Sequence, residues 1–502
     1  MTQSMEPHST PSPAEATAPA AGSATTHGNE PAPSPSTGAP AGRSGVGLLG
    51  AALLLGLLRF VRLGEWSLWY DEVLTWGDSH HSPGGLINAA GYWLVRQTVE
   101  LLGGQPTEAN LRLLPAIAGY LAIPATFWAF RPLAGGRRAG LAAVLVAASV
   151  WEMQWSQTAR FYTFVQLVAL LGGGVLIRGL LTGRALQVAL GVVVVGGGVL
   201  FHLQAGAVAV ALLVAAALAP PSAEPGARRA ALRGLALLAV PALLALPKVL
   251  GAWSGYAEKK AAADTVGSIA HFLLSTGWYV TPALGAAAAA AGLLVLVRGD
   301  ARGRFALVVA TVGAAEMALA SAFATVSAQY LFALFPWIAL VAAWPFGSAG
   351  VAAVRGARPA LALALVLPQL AATALYLSAE QGQRPRWRDA VEFVEARRQP
   401  GDVVASDPAS VVEFYLGDRD PRRVREPEEV LHFDRFNPWF IRQPVLEGKS
   451  VWLVVRNDTL MTYGRELRAE VRRYIAENYQ LVERFPVLVQ GRDLSIDVWH
   501  HP

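Results

Sequence analysis

Apolar runs of roughly 20 residues, each the length a helix needs to cross a bilayer, recur along most of this chain. The first is 46–63. Others follow at 111–130, 139–155, 161–177, 185–201, 204–219, 231–250, 281–297, 305–323, 329–346 and 359–378. Such a chain is expected to be a polytopic α-helical membrane protein with about eleven spans. Composition agrees: 53% of the 502 residues are hydrophobic and only 15% are charged, against roughly 25% charged in a soluble protein. The chain contains no cysteine, which excludes a disulfide framework and a thiolate metal centre.

The loops carry an internal check. With alternating spans, Arg131/Arg137/Arg138, Arg178/Arg184, Arg228/Arg229/Arg233, Arg298/Arg302/Arg304 and Arg355/Arg358 all fall on the side of the N-terminus. Positive loops face the cytoplasm, so the N-terminus is expected inside and the alternate loops outside. Arg59 and Arg62, at the far end of the first run, stand against this pattern. The net charge of +5 sits mainly in these short loops, and so reads as a topology signal instead of a nucleic-acid footprint.

Three regions follow. Residues 1–44, rich in Pro, Ala, Ser, Thr and Gly, bury too little apolar surface to order and read as a disordered cytoplasmic tail. Residues 45–379 form the multi-span membrane domain, in which 84–103 is too polar to span and reads as an interfacial amphipathic helix. Residues 380–502 turn charged and alternating, and predict a small extracytoplasmic α/β domain. Its expected helices cover 387–397 and 465–478, and its expected strands 402–406, 450–455 and 494–499.

The candidate chemistry lies in the outer loops. Asp71-Glu72 follows the first run and the aromatic Trp66, Trp69 and Tyr70, whose rings favour a membrane interface. A carboxylate in a partly dry site can serve as general base, because desolvation raises its proton affinity. The plainer account is a pair of solvated loop acids. The turn Trp151–Phe164 contributes Glu152, Gln157, Arg160 and Tyr162. The planar fork of Arg160 suits phosphate oxygens, and the plainer account is an arginine reaching for water. His80 and His81 are adjacent and point differently, so a divalent metal on one of them with Asp71 or Glu152 is a minor alternative, and no other cofactor is indicated. The segment Ser327–Phe332 adds Tyr330, the loop 251–280 adds Lys259 and Lys260, and His202 reads as a turn or core histidine.

The order of these segments resembles a family. Asp71-Glu72 is followed by His81-Ser82-Pro83, by Leu111–Gly119, by Ser156-Gln-Thr-Ala-Arg-Phe-Tyr162 and by Gln329-Tyr-Leu-Phe-Ala-Leu-Phe-Pro336. That order is similar to the GT-C membrane glycosyltransferases of the family 39 type, which include protein O-mannosyltransferases and the aminoarabinose transferase acting on lipid A. The resemblance covers about 46–380. It implies an inner-membrane enzyme that moves a sugar, with inversion, from a polyprenyl-phosphate donor to a protein, lipid or glycan acceptor of the cell envelope. It implies Asp71 as base with Glu72 beside it, and Arg160 at the donor phosphate. Two positions depart from the family pattern: Ser82 stands within a usual His-Pro-Pro run, and Gln329 stands where an arginine usually precedes the tyrosine. A lipid-sugar transporter or flippase, and an inactive lipid-binding scaffold, are the competing readings. The first predicts internal repeats and mid-membrane polar residues, whereas the polar residues here cluster at one face.

Overall fold

The computed structural model describes residues 43–81, 87–222, isolated helical positions between 226 and 254, 268–323, 326–347, 357–417, 430–432, 438–462, 465–489 and 492–502. The expected tail and Lys259 lie outside these residues, as does most of the expected span 231–250.

The chain opens with α1 (Arg43–Gly56), extended by a 3-10 turn at Leu57–Phe60. Two helices then precede the next long one: α2 (Tyr70–His81) and α3 (Ala89–Leu101). There follow α4 (Glu108–Ala134), α5 (Gly136–Ala148), α6 (Val150–Ser156), α7 (Tyr162–Thr182), α8 (Ala185–Gly197) and α9 (Gln204–Leu218). Four helical stretches among the described residues are long and apolar enough to cross a membrane: Glu108–Ala134, Tyr162–Thr182, Ala301–Ala322 and Pro359–Leu377. A fifth is added if Ile269–Val280 and Pro282–Arg298, bent by 100°, make one broken span.

Full-length spans are therefore fewer than the expected eleven among the described residues, because polar residues and prolines interrupt several apolar runs. Ser149 adopts an extended conformation, ends α5, and restarts the chain as α6 by accepting the Glu152 N–H. Thr281, at φ 65°, caps the helix that begins at Pro282. The run 329–346 divides into a 3-10 segment (Ala328–Leu334), a helix (Phe335–Ala342) and a further 3-10 turn (Trp344–Gly347). Shorter apolar helices of 10–17 residues remain at Gly45–Phe60, Ala185–Leu200, Gln204–Leu218 and Ala328–Ala342.

The main core lies among α4, α5, α7 and Phe335–Ala342, where Phe130 meets Trp337 edge-on at 4.7 Å. Helices α7 and α8 meet through glycine. A Cβ on Gly172 would stand 2.6 Å from the Gly191 carbonyl oxygen, and small residues are what permit such close backbone approach.

The C-terminal region forms a five-stranded mixed sheet from β1 (Val403–Asp407), β2 (Val430–His432), β3 (Val451–Arg456), β4 (Gln480–Phe485) and a last strand, Ile496–His501, in the order β2-β1-β3-last-β4. Strand β1 pairs parallel with β2 and β3, and the last strand pairs antiparallel with β3 and β4. One face, bearing Val404, Trp452 and Val498, packs on the helices Trp387–Glu395 and Ala409–Leu416. The other, bearing Ala405, Leu453 and Val455, packs on Val471 and Ile475 of the helix Arg465–Asn478. The first apolar cluster continues without a break into Leu68 before α2, Val73 and Trp76 of α2, and Val95 and Val99 of α3. The sheet region thus rests on α2 through the helix Ala409–Leu416.

Candidate functional site

The acid pair sits at the start of α2, and the two carboxylates have opposite surroundings. Glu72 is fully buried. Its Oε1 accepts Arg112 Nε at 2.8 Å and the Ala159 N–H at 2.8 Å. Its Oε2 accepts Arg112 Nη2 at 2.9 Å and reaches back to the Trp69 N–H at 3.2 Å. Arg384 Nε lies 3.5 Å from the same oxygen. Burial by itself would raise the proton affinity of Glu72, but Arg112 and Arg384 hold its carboxyl below the usual carboxylate range. Arg112 also donates to the carbonyls of Leu63, Trp66 and Ser67. This pair joins the loop before α2, the start of α4, the turn after α6 and the chain after the last long helix.

Asp71 is half-buried. Its backbone carbonyl accepts Thr75 Oγ1 at 2.8 Å and Arg160 Nη1 at 3.4 Å, while its carboxylate has no hydrogen-bond partner among the described residues. Arg160 is fixed by a further bond from Nη1 to Thr75 Oγ1 at 3.0 Å. The turn holding Arg160 runs into α7, whose first residue Tyr162 packs on Trp155 at 4.4 Å, on His202 at 5.1 Å and on Tyr330 at 6.4 Å between ring centres. His202 Nδ1 accepts the Gln204 N–H at 3.2 Å, which leaves the ring proton on Nε2. Asp71, Arg160, Tyr162 and Tyr330 therefore belong to one neighbourhood, with His202 added by the fold.

Two sequence candidates lie elsewhere. Glu152 is fully buried, 3.9 Å from Arg59, and accepts Gln166 Nε2 at 2.6 Å. Gln157 is buried and donates to the carbonyls of Arg59 and Val61. Both tie α6 to the end of the first helix. Arg59 itself donates to the carbonyls of Val146 and Ala147, the open end of α5. Arg62 pairs with Glu65 and donates to the Leu377 carbonyl. The two arginines that break the loop-charge pattern are thus engaged in internal bonds. His81 closes α2, and Ser82 and Pro83 lie outside the described residues. No group of three or more His, Cys, Asp and Glu side chains comes together among the described residues.

Sequence reasoning did not single out Arg112 or Arg384. Arg112 had a signal: a charged residue one position into an apolar run, at a helix start. Arg384 stands in the alternating Arg384-Pro-Arg-Trp-Arg388, whose spacing reads equally well as surface charge. A cavity of about 1260 Å³ opens between the membrane-type helices and the sheet, with Trp69, Trp155, Gln329 and Arg384 on one wall and Arg456, Asp458 and Arg492 on the other.

No family model matches the chain, and no curated protein matches it in sequence. Solved structures do match in fold. ArnT from Cupriavidus metallidurans in the apo state aligns at a TM-score of 0.51 and 16% identity, over 91% of this chain and 97% of that one. ArnT bound to undecaprenyl phosphate aligns at 0.50 and 16% identity, with the same shares. The archaeal oligosaccharyltransferase AglB from Archaeoglobus fulgidus, solved with an inhibitory peptide and a dolichol-phosphate, aligns at 0.51 and 14% identity, over 90% of this chain and 74% of that one. At such identities the likeness is one of fold, and the fold is the GT-C fold that the order of motifs implies.

Proposed function

We propose that this chain, built on the GT-C fold, is a multi-pass membrane glycosyltransferase that moves a sugar from a polyprenyl-phosphate donor to a cell-envelope acceptor, with inversion. The observation that carries this reading is the division of the acid pair. Glu72 is consumed by Arg112 and backbone donors, while the carboxylate of Asp71, one residue earlier, has no hydrogen-bond partner among the described residues and has Arg160 beside it. Two fold neighbours solved with a polyprenyl phosphate, ArnT with undecaprenyl phosphate and AglB with a dolichol-phosphate, support the same donor class.

In this reading Asp71 removes the proton from an acceptor hydroxyl or amine. The freed lone pair attacks the anomeric carbon, and the bond to the phosphate oxygen breaks with its electrons going to the lipid phosphate. Arg160 stabilises the charge that builds there. Tyr162 and Tyr330 form an aromatic wall for the sugar or its phosphate. Glu72 keeps the start of α2 in place. Reaction on the outer face follows from the loop-charge pattern, since Arg59 and Arg62 are engaged in internal bonds.

The test is transfer from a polyprenyl-phosphate sugar in nanodiscs. Asp71→Asn keeps the shape and removes the basicity, so turnover is expected to fall by ~10²–10⁴-fold with donor affinity little changed. Arg160→Lys keeps the charge and loses the fork, and should weaken donor binding and turnover together. Near-normal turnover in Asp71→Asn would sink the assignment.

A further inference from the structure

A threonine inside α2 holds the arginine of the site by one of its nitrogens. Thr75 is fully buried. Its Oγ1 donates to the Asp71 carbonyl, one turn back, at 2.8 Å and accepts Arg160 Nη1 at 3.0 Å. A buried hydroxyl is costly unless it is bonded, and this one is satisfied both as donor and as acceptor. The back-bond also selects one rotamer of a stiff, β-branched side chain, so the lone pair that receives Arg160 has a fixed direction.

Two other hydroxyls of the chain make the same arrangement. Ser156 bonds back to the Glu152 carbonyl and accepts Arg59 Nε, and Thr158 bonds back to the Gln154 carbonyl and accepts Arg384 Nη2. Arg59 spends its other two nitrogens on the carbonyls of Ala147 and Val146, and Arg384 turns its Nε toward Glu72. Both of those arginines are struts. Arg160 differs. Its hydrogen bonds among the described residues, to Thr75 Oγ1 and to the Asp71 carbonyl, both start at Nη1. A guanidinium carries N–H groups on all of its nitrogens, so Nε and Nη2 are left open. Those two nitrogens form the edge that grips a pair of phosphate or carboxylate oxygens in parallel. Asp71, Tyr92, Tyr162 and Tyr330 surround the same guanidinium.

We propose that Thr75 is a positioning residue for donor binding: its hydroxyl holds Nη1 of Arg160, so that the Nε–Nη2 edge is the one presented to the donor phosphate. The same hydroxyl bonds the carbonyl of Asp71, which keeps the phosphate grip and the general base in register across one helical turn. This deepens the transferase reading and rests on it for the identity of the anion.

The experiment measures binding of undecaprenyl phosphate to the full-length chain in nanodiscs, with sugar transfer followed separately. Thr75→Val keeps the branched shape and removes the hydroxyl. Loss of one hydrogen bond predicts an affinity roughly 3–10-fold weaker, with turnover reduced alongside it. Thr75→Ser restores the hydroxyl and should recover most of the loss. Thr75→Ala should bind as weakly as Thr75→Val, and it covers the case in which the valine variant does not fold. A residue that merely packs would lower the melting temperature and leave the affinity of the folded protein unchanged, so Thr75 is also tested through its partner. Arg160→Gln removes the guanidinium, and Thr75→Val added to it should weaken binding no further. Full affinity in folded Thr75→Val or Thr75→Ala overturns the proposal, as does a Thr75→Val penalty that persists undiminished in Arg160→Gln. Binding that depends on Thr75 through Arg160 in a chain that transfers no sugar supports this inference and refutes the transferase reading alone. A working transferase whose donor affinity is indifferent to the Thr75 hydroxyl refutes this inference alone.

Discussion

At the residue scale, two neighbouring acids of the candidate site have opposite surroundings. Replacing Glu72 by Gln leaves Arg112 and Arg384 buried around a neutral amide, and removing one partner of a buried pair typically costs about 3–5 kcal/mol. The expected result for Glu72→Gln is a loss of that size in unfolding free energy. Because the folded Glu72 carboxyl is held below its ordinary range, its contribution is complete above the unfolded-state value of roughly 4.3 and disappears as pH falls through the lower folded value. Wild type should therefore lose stability over that acid window more steeply than Glu72→Gln, which unfolding curves taken across pH would reveal. The Asp-Glu pair was legible in the sequence. The grip of Arg112 on Glu72 was not, because Arg112 lies 40 residues away and nothing local to the pair marks it as the partner of Glu72.

Apolar runs gave away most helix positions at the element scale, and hid where helices break. Ser149 and Thr281 each begin a new helix by side-chain capping inside or beside an apolar stretch, and capping is a matter of backbone geometry that hydropathy does not encode. The C-terminal region was legible to a similar degree. The helix Arg465–Asn478 falls where expected, and β1, β3 and the last strand fall within two residues of expectation at each end. Strand β4 was missed because it is an edge strand with no buried residue, so it shows no apolar alternation. The contact of α7 with α8 yields a test. Gly172→Ala places a methyl against the backbone of α8, and overpacking of this kind costs about 1–3 kcal/mol. Gly196→Ala meets nothing within 4 Å and should be close to neutral. Comparing the two variants by unfolding in one detergent checks the packing and controls for helix propensity.

At the scale of the whole molecule, the sheet region and the membrane-type helices share one apolar cluster and several polar ties. Tyr415 Oη accepts the Leu68 N–H at 2.6 Å and donates to Glu108 at 3.0 Å, and the Arg388 N–H donates to Ser67 Oγ at 3.0 Å. Tyr415→Phe strands the buried Leu68 N–H, which should cost about 1–3 kcal/mol and lower transfer, since Leu68 lies in the loop that leads into the acid-pair helix. Melting followed at tryptophans of both regions should show one transition, and two separate transitions would contradict the shared core. Orientation is checked by reporter fusions: cytoplasmic after Arg304, extracytoplasmic after Pro400. An extracytoplasmic signal at Arg304 would overturn the reading of the loop charges.

The contact of Arg384 with Glu72 also imposes a timetable. A ribosome makes the acid pair early, then Arg112, then the turn at Thr158 and Ala159, and it reaches Arg384 only after the last long helix has been made. Until then the nascent chain holds an acid site lacking its final strut. Truncated chains ending before residue 384 should insert and yet remain silent, so that maturation of the site waits for the near-completion of synthesis.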